Sequence, residues 1–294
     1  MSTFGNLLVA GVASGAIYAL FAACVAVWFR VCNVLNLAVG DFAMLGAIGT
    51  AELCQAYGVV TPVAILGVLV ATGVVAWLFD WLVLHVALDG RRGHSGIVAI
   101  LFYTFALSFI LEGAAKVVFG TNAHAAPALW PGAALTVGGL HIQRAAILIM
   151  VLAVVSGLLL GGYLRLTVAG KAASACGESM IGSRIVGIDA QRLRRRIFVM
   201  TAVLAALFGI VESPITGFVY NTGPTISLIG VVAAGFAGFR RPGRAVVIGL
   251  GIGVVEALLG GYVSTQYSEV ILYGLLAGVL ILWPEVLGME ALTQ

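Results

Sequence analysis

Three carboxylates, Asp41, Glu212 and Glu256, stand inside otherwise apolar stretches of the sequence. An ionisable group at the centre of a bilayer costs about 2.5–3.5 kcal/mol on insertion scales, so each one needs a partner, a proton or water. Groups of this kind carry protons or cations, or they line a polar path for a solute. Asn33, Asn36 and Gly40 recur at offsets of three and four, which is one helical face. Asn33 reads as a helix cap, because Asn at a helix start satisfies orphan N–H groups. Asn36 and Asp41 read as facing the interior of a helix bundle. Pro214 lies inside an apolar run and breaks its hydrogen-bond ladder. Broken helices are where transporters build sites, which makes the stretch from Glu212 to Gly223, with Asn221, a path element. Glu112 and Lys116 are spaced i, i+4 in the order that favours an ion pair and read as neutralising one another. Asp80 reads as reaching the interface.

Other chemistry is missing from the sequence. There is no GxxxxGK[ST] phosphate loop; the nearest stretch, Gly170-Lys171-Ala172, lacks the upstream glycine and the hydroxyl residue. HExxH and GxSxG do not occur. Cys24, Cys32, Cys54 and Cys176 are spread singly, without a CxxC pair, so neither a zinc site nor a disulfide framework is indicated. The chain reads as a non-enzyme with no cofactor of its own.

The elements that must position these residues are membrane helices. Of 294 residues, 62% are hydrophobic and 9% charged, and the mean hydropathy is +1.13. A soluble domain is about a quarter charged. A water-soluble globule and a disordered chain are both excluded, and a net charge of +3 is too weak a field for nucleic-acid binding. The first basic residue, Arg30, follows the first apolar stretch, so the N-terminus reads as a transmembrane helix and not as a signal peptide.

A spanning helix needs about 20 apolar residues. Nine stretches qualify: 7–29, 34–53, 60–84, 97–118, 145–164, 197–219, 225–239, 245–263 and 270–284. The seventh and ninth are short and the second is polar at its start, so the count is about nine, with eight to ten possible. The fold class is an all-α polytopic membrane protein forming one transmembrane domain over 1–294. With 165–196 placed inside, alternation puts 13 of the 15 basic residues in cytoplasmic loops and leaves Lys116 and Arg144 outside. The N-terminus is then outside and the C-terminus cytoplasmic. The loop 119–144 is external, and Gly138-Gly139 within it suggests a small hairpin.

The inside loop 165–196 is rich in Ala, Ser and Gly. Ala172, Ala175, Ser179 and Gly182 fall on one helical face. Small residues there let another surface approach closely. The plain alternative is an amphipathic connector held near anionic lipid by its arginines.

Taken together, these stretches resemble the branched-chain amino-acid permease family of ABC importers, of the LivH type. The resemblance rests on Gly15-Ala16-Ile17-Tyr18-Ala19-Leu20 followed by Val34-Leu35-Asn36-Leu37-Ala38-Val39-Gly40-Asp41-Phe42-Ala43-Met44-Leu45-Gly46, similar to the family's "GxxYAL" and "LNFAQGEFAMLGA". The stretch 167–189, the glycine-rich 230–238 and 249–256, and Leu282-Trp283-Pro284 with Leu287-Gly288 extend it. Departures fall at Val39, where the family has Gln, at Asp41, where it has Glu, and at Trp283, where it has Arg. The lost amide removes a polar group from the implied path.

The resemblance implies a bacterial inner-membrane subunit that gates a path by alternating access. It implies a second, related permease subunit or a second copy of itself, two ATPase subunits that carry the ATP, and an external solute-binding protein. The coupling helix to the ATPase would carry Ala172, Ala175, Ser179, Gly182 and Ser183, and the path would use Tyr18, Asn36, Asp41, Glu212 and Asn221. The rival readings are an ion-coupled transporter or channel working through Asp41, Glu212 and Glu256, and a non-transport scaffold.

Overall fold

The computed structural model describes residues 2–84, 94–132, 135–137, 140–178, 180–262 and 274. The elements are helices α1 (Ser2–Cys32), α2 (Val39–Gln55), α3 (Thr61–Phe79, continued by a π-helical turn Asp80–Leu84) and α4 (His94–Phe119). A hairpin follows, β1 (Leu135–Val137) and β2 (Leu140–Ile142). Then come α5 (Arg144–Leu166), α6 (Val168–Glu178), α7 (Met180–Ile185), α8 (Ala190–Thr216), α9 (Thr222–Phe236) and α10 (Pro242–Tyr262). Among the described residues, six helices are long and apolar enough to cross a membrane: α1, α3, α4, α5, α8 and α10; α9 is a shorter apolar helix.

Local chemistry explains the boundaries. Pro62 occupies the start of α3, where its missing N–H costs nothing. The Asp189 carboxylate accepts the Arg192 backbone N–H at 3.0 Å and caps α8. Pro214 falls in the last turns of α8, which closes at Gly217 with φ of 66°. The helix continues past it for two residues, to Thr216. The hairpin suggested by Gly138-Gly139 forms as an antiparallel pair in which Val137 faces Leu140.

The second span differs from expectation. It does not begin as a helix at Val34. Asn33 takes φ of 53° and ends α1, and residues 33–38 are non-helical until α2 starts at Val39. That stretch is enclosed: Val34, Asn36 and Ala38 are buried. Non-helical backbone at membrane depth is tolerated only where protein surrounds it. The ninth span, apart from residue 274, lies outside the described residues.

The core is tied by one aromatic hub. The Phe198 ring of α8 meets Trp28 of α1 at 5.1 Å, Phe42 of α2 at 5.8 Å and Phe79 of α3 at 6.1 Å between centroids. Glycines supply the close helix crossings. Gly15 lies against the backbone of Leu250, Gly253 against that of Gly15, and Gly249 against that of Ala19, so α1 and α10 meet backbone to backbone. Gly46 and Gly209 do the same for α2 and α8. A Cβ at any of these positions would enter a neighbouring backbone, the small-residue logic of membrane packing.

Candidate functional site

The first turn of α2 is built against the first turns of α9. The Gly40 N–H donates to the Ser227 hydroxyl at 2.8 Å, and neither Gly40 nor Gly223 has room for a Cβ. This contact encloses Asp41, which is 0% exposed and packs on Gly223. The Ser108 hydroxyl and Glu112 carboxyl of α4 are its polar neighbours, yet neither Asp41 oxygen completes a well-formed hydrogen bond. Gly209 against the Ala43 carbonyl brings the stretch of α8 that carries Glu212 alongside the start of α2. Glu212 is buried, with one carboxylate oxygen unpartnered.

The other expected path residues are placed differently. The Asn36 side-chain oxygen accepts the Ala38 N–H at 3.0 Å, so it is spent on the local turn before α2. Asn221 is the exposed residue preceding α9, two positions before Gly223. Tyr18 is half-buried on α1, next to Ala19 in the contact with α10. Glu256 is carried by α10. The expected ion pair between Glu112 and Lys116 is not formed: the Lys116 ammonium lies 5.2 Å from the centroid of the Tyr220 ring, and Glu112 acts on Asp41 as a like charge. Ser108 and Ser227 were not anticipated. Ser108 lies four residues before Glu112 and Ser227 four after Gly223, so helical spacing from those positions was the signal available.

At one end of the bundle, the loop after α4 laces α2 to α8. Gln55 donates to the Ala125 carbonyl at 2.7 Å, and Glu52 lies 3.5 Å from His124. The backbones of His124 and Phe218 pair in both directions at 2.8 Å. The Ala126 N–H donates to the buried Ser213 hydroxyl at 2.9 Å.

The opposite end is rich in arginine. Asn33 is no cap for α2, whose N-cap is Ala38 without a side-chain bond. Its amide donates to the Gly177 carbonyl of α6 at 2.7 Å, and Arg240, between α9 and α10, donates to the Asn33 side-chain oxygen at 2.8 Å. Gly177 has no room for a Cβ against the Arg30 carbonyl. Nearby, Asp80 is fully buried and gripped by two guanidiniums, Arg194 Nε at 2.9 Å and Arg195 Nε at 2.8 Å.

The expected coupling segment is helical on both sides of residue 179, as α6 and α7. The face of α6 turned into the bundle carries Gly170, Ala173, Cys176 and Gly177. Ala172 and Ala175 are half-exposed beside it; Gly182 is half-buried and Ser183 buried, and Ser179 lies outside the described residues.

Comparison with known proteins identifies the family. A family profile described as the permease component of branched-chain amino acid transport systems matches residues 7–280. The chain is 26% identical over 290 residues to the high-affinity branched-chain amino acid transport system permease protein LivH of Salmonella typhimurium, covering 93% of this chain and 92% of that protein. It is 27% identical over 292 residues to BraD of Pseudomonas aeruginosa, a permease protein of the same description, covering 94% and 93%. Over 125 residues it is 35% identical to the autoinducer 2 import system permease protein LsrC of Yersinia enterocolitica, covering 42% of this chain and 32% of that protein. No solved structure matches. The chain belongs to the branched-chain amino acid transport permease family and is a multi-pass membrane subunit of an ABC transporter, not itself an enzyme.

Proposed function

We propose that the chain imports branched-chain amino acids, or a related small polar solute, across the inner membrane by alternating access driven by two separate ATPase subunits. The arginine-rich end faces the cytoplasm, in keeping with the positive-inside rule, so the N-terminus is external. The ATPases dock on α6 and α7. A second permease subunit, related or identical, completes the path, and an external binding protein delivers solute over the loop 119–144. Asp41, Glu212 and Asn221, with Ser108, Glu112 and Ser227, form the polar lining between α2, α4, α8 and α9. The range of named relatives, from branched-chain amino acids to autoinducer 2, keeps the substrate class at small polar solutes.

One observation carries this reading: the junction of Asn33, Gly177 and Arg240. It fastens the α6 segment to the end of α1 and to the α9–α10 turn. Force applied to α6 therefore reaches the helices that enclose Asp41.

The test is a pull-down in mild detergent with mass spectrometry of what comes along, followed by uptake in liposomes. Co-purification of an ATPase pair and a second permease, with ATP-dependent uptake, is expected. Ala175→Trp places a bulky ring on the half-exposed face of α6 and should abolish ATPase binding without unfolding the chain. Uptake by the isolated chain down an ion gradient would overturn the proposal in favour of an ion-coupled carrier working through Asp41, Glu212 and Glu256.

A further inference from the structure

The arginine-rich end holds an open cavity of about 920 Å³ between the last turns of α5, the end of α6 and the first turn of α10. Five arginines line it, Arg30, Arg165, Arg240, Arg241 and Arg244, against one carboxylate, Glu178. Arg240 is engaged with Asn33 and the Gly177 carbonyl. Among the described residues the other four guanidiniums make no ion pair or hydrogen bond. Like charges gathered in one cavity repel, and the arrangement is stabilised by an anion that bridges them. Guanidinium is the side chain that grips phosphate through two parallel hydrogen bonds.

The chemistry of the other wall narrows the occupant. That wall is α5, and it is apolar. Leu158, which lines the cavity, is 71% exposed and continues into the exposed Val151, Val154 and Val155 of the same helix. Gly157 and Gly161 lie one turn apart with nothing within 4 Å of where a Cβ would stand. They leave an open channel along the helix, leading away from the arginines. A soluble anion would satisfy the arginines and leave this channel uncovered. A molecule with a phosphate at one end and hydrocarbon at the other satisfies both.

We propose that this cavity is a binding site for an anionic phospholipid. Its phosphate sits among Arg165, Arg241 and Arg244, and an acyl chain runs along the channel of Gly157 and Gly161. Basic pockets between spanning helices are known places for lipid headgroups. The site lies beside Gly177, so an occupied pocket would brace the segment that Asn33 and Arg240 hold from the other side.

The test uses the full chain in detergent, with whatever subunits accompany it. It is offered phosphatidylglycerol and phosphatidylcholine of matched acyl chains in equal amounts, and retained lipid is read by native mass spectrometry. Phosphatidylglycerol should be retained about tenfold over phosphatidylcholine, and the pair Arg241→Gln and Arg244→Gln should remove that preference. Gly161→Leu fills the channel without changing charge and should also release the lipid. The pair Arg241→Lys and Arg244→Lys keeps the charge and should retain it, which separates lipid recognition from any fold defect in the glutamine pair. Equal retention of the two lipids overturns the proposal. So does full displacement by millimolar inorganic phosphate, which would mark a soluble-anion site. Masking of the cavity by a second subunit, read as lipid bound only after subunit dissociation, overturns it as well.

Discussion

The Asn33 amide donates to the Gly177 carbonyl at 2.7 Å across 144 residues of sequence. Asn33 stands in the left-handed region, φ 53°, which Asn tolerates better than most residues, and it receives Arg240 on its other side. Replacing it with Gly keeps the backbone and deletes both bonds. Asn33→Gly should lower stability in detergent by about 1–3 kcal/mol, about 0.5–1.5 kcal/mol for each of the two lost bonds. It should reduce ATP-driven uptake more than it reduces ATPase binding. Thermal unfolding and liposome uptake, measured on one preparation, check the split.

Asp80 gives a second prediction. Asp80→Ala leaves Arg194, only 6% exposed, and Arg195, 25% exposed, without their shared anion. Breaking a buried pair by removing one partner costs about 3–5 kcal/mol, so folded yield should fall sharply. Adding Arg194→Leu should recover part of the loss, because the more deeply buried charge leaves with its partner. A double-mutant comparison of midpoint temperatures measures it.

The glycine contacts divide into two groups with opposite expectations. At Gly209 an added methyl meets the Ala43 backbone; at Gly67 it meets nothing within 4 Å. Gly209→Ala should cost about 1–3 kcal/mol by overpacking. Gly67→Ala should be neutral or stabilising by up to about 1 kcal/mol through helix propensity. Parallel melting curves decide between them.

Asp41 separates path from packing. Its carboxylate is fully buried and completes no hydrogen bond, so Asp41→Asn preserves shape while removing the charge. Expression and subunit co-purification should be unchanged, and uptake should fall about tenfold, the effect of some 1.4 kcal/mol on the transported state. Unchanged uptake would remove Asp41 from the path.

Much of this arrangement was legible in the sequence. The long apolar runs became α1, α3, α4, α5, α8 and α10, and Gly138-Gly139 did separate two strands. The Ala- and Gly-rich inside loop did form helix. The features that escaped are those set by partners far along the chain. Asp80 is an ordinary end-of-span acid until Arg194 and Arg195 fold onto it, 114 and 115 residues later. Local spacing paired Glu112 with Lys116, but the Lys116 ammonium lies over the Tyr220 ring instead. Residues 34–38 read as helix because they are mostly apolar. Only enclosure by the surrounding helices permits them to be otherwise.

The stretch 33–38 also sets a limit on travel. Its lower end is fixed to α6 through Asn33, and its upper end runs into α2, held by Gly40 on Ser227. Six residues of drawn-out chain reach at most about 20 Å, and the turn at residues 37–38 stores a small reserve of that length. A helix in its place would transmit both thrust and tension. A strap of loose backbone yields to thrust and goes taut under tension. The distance by which α6 can withdraw from Asp41 is therefore capped by the slack in six peptide units, whatever the size of the stroke that drives it.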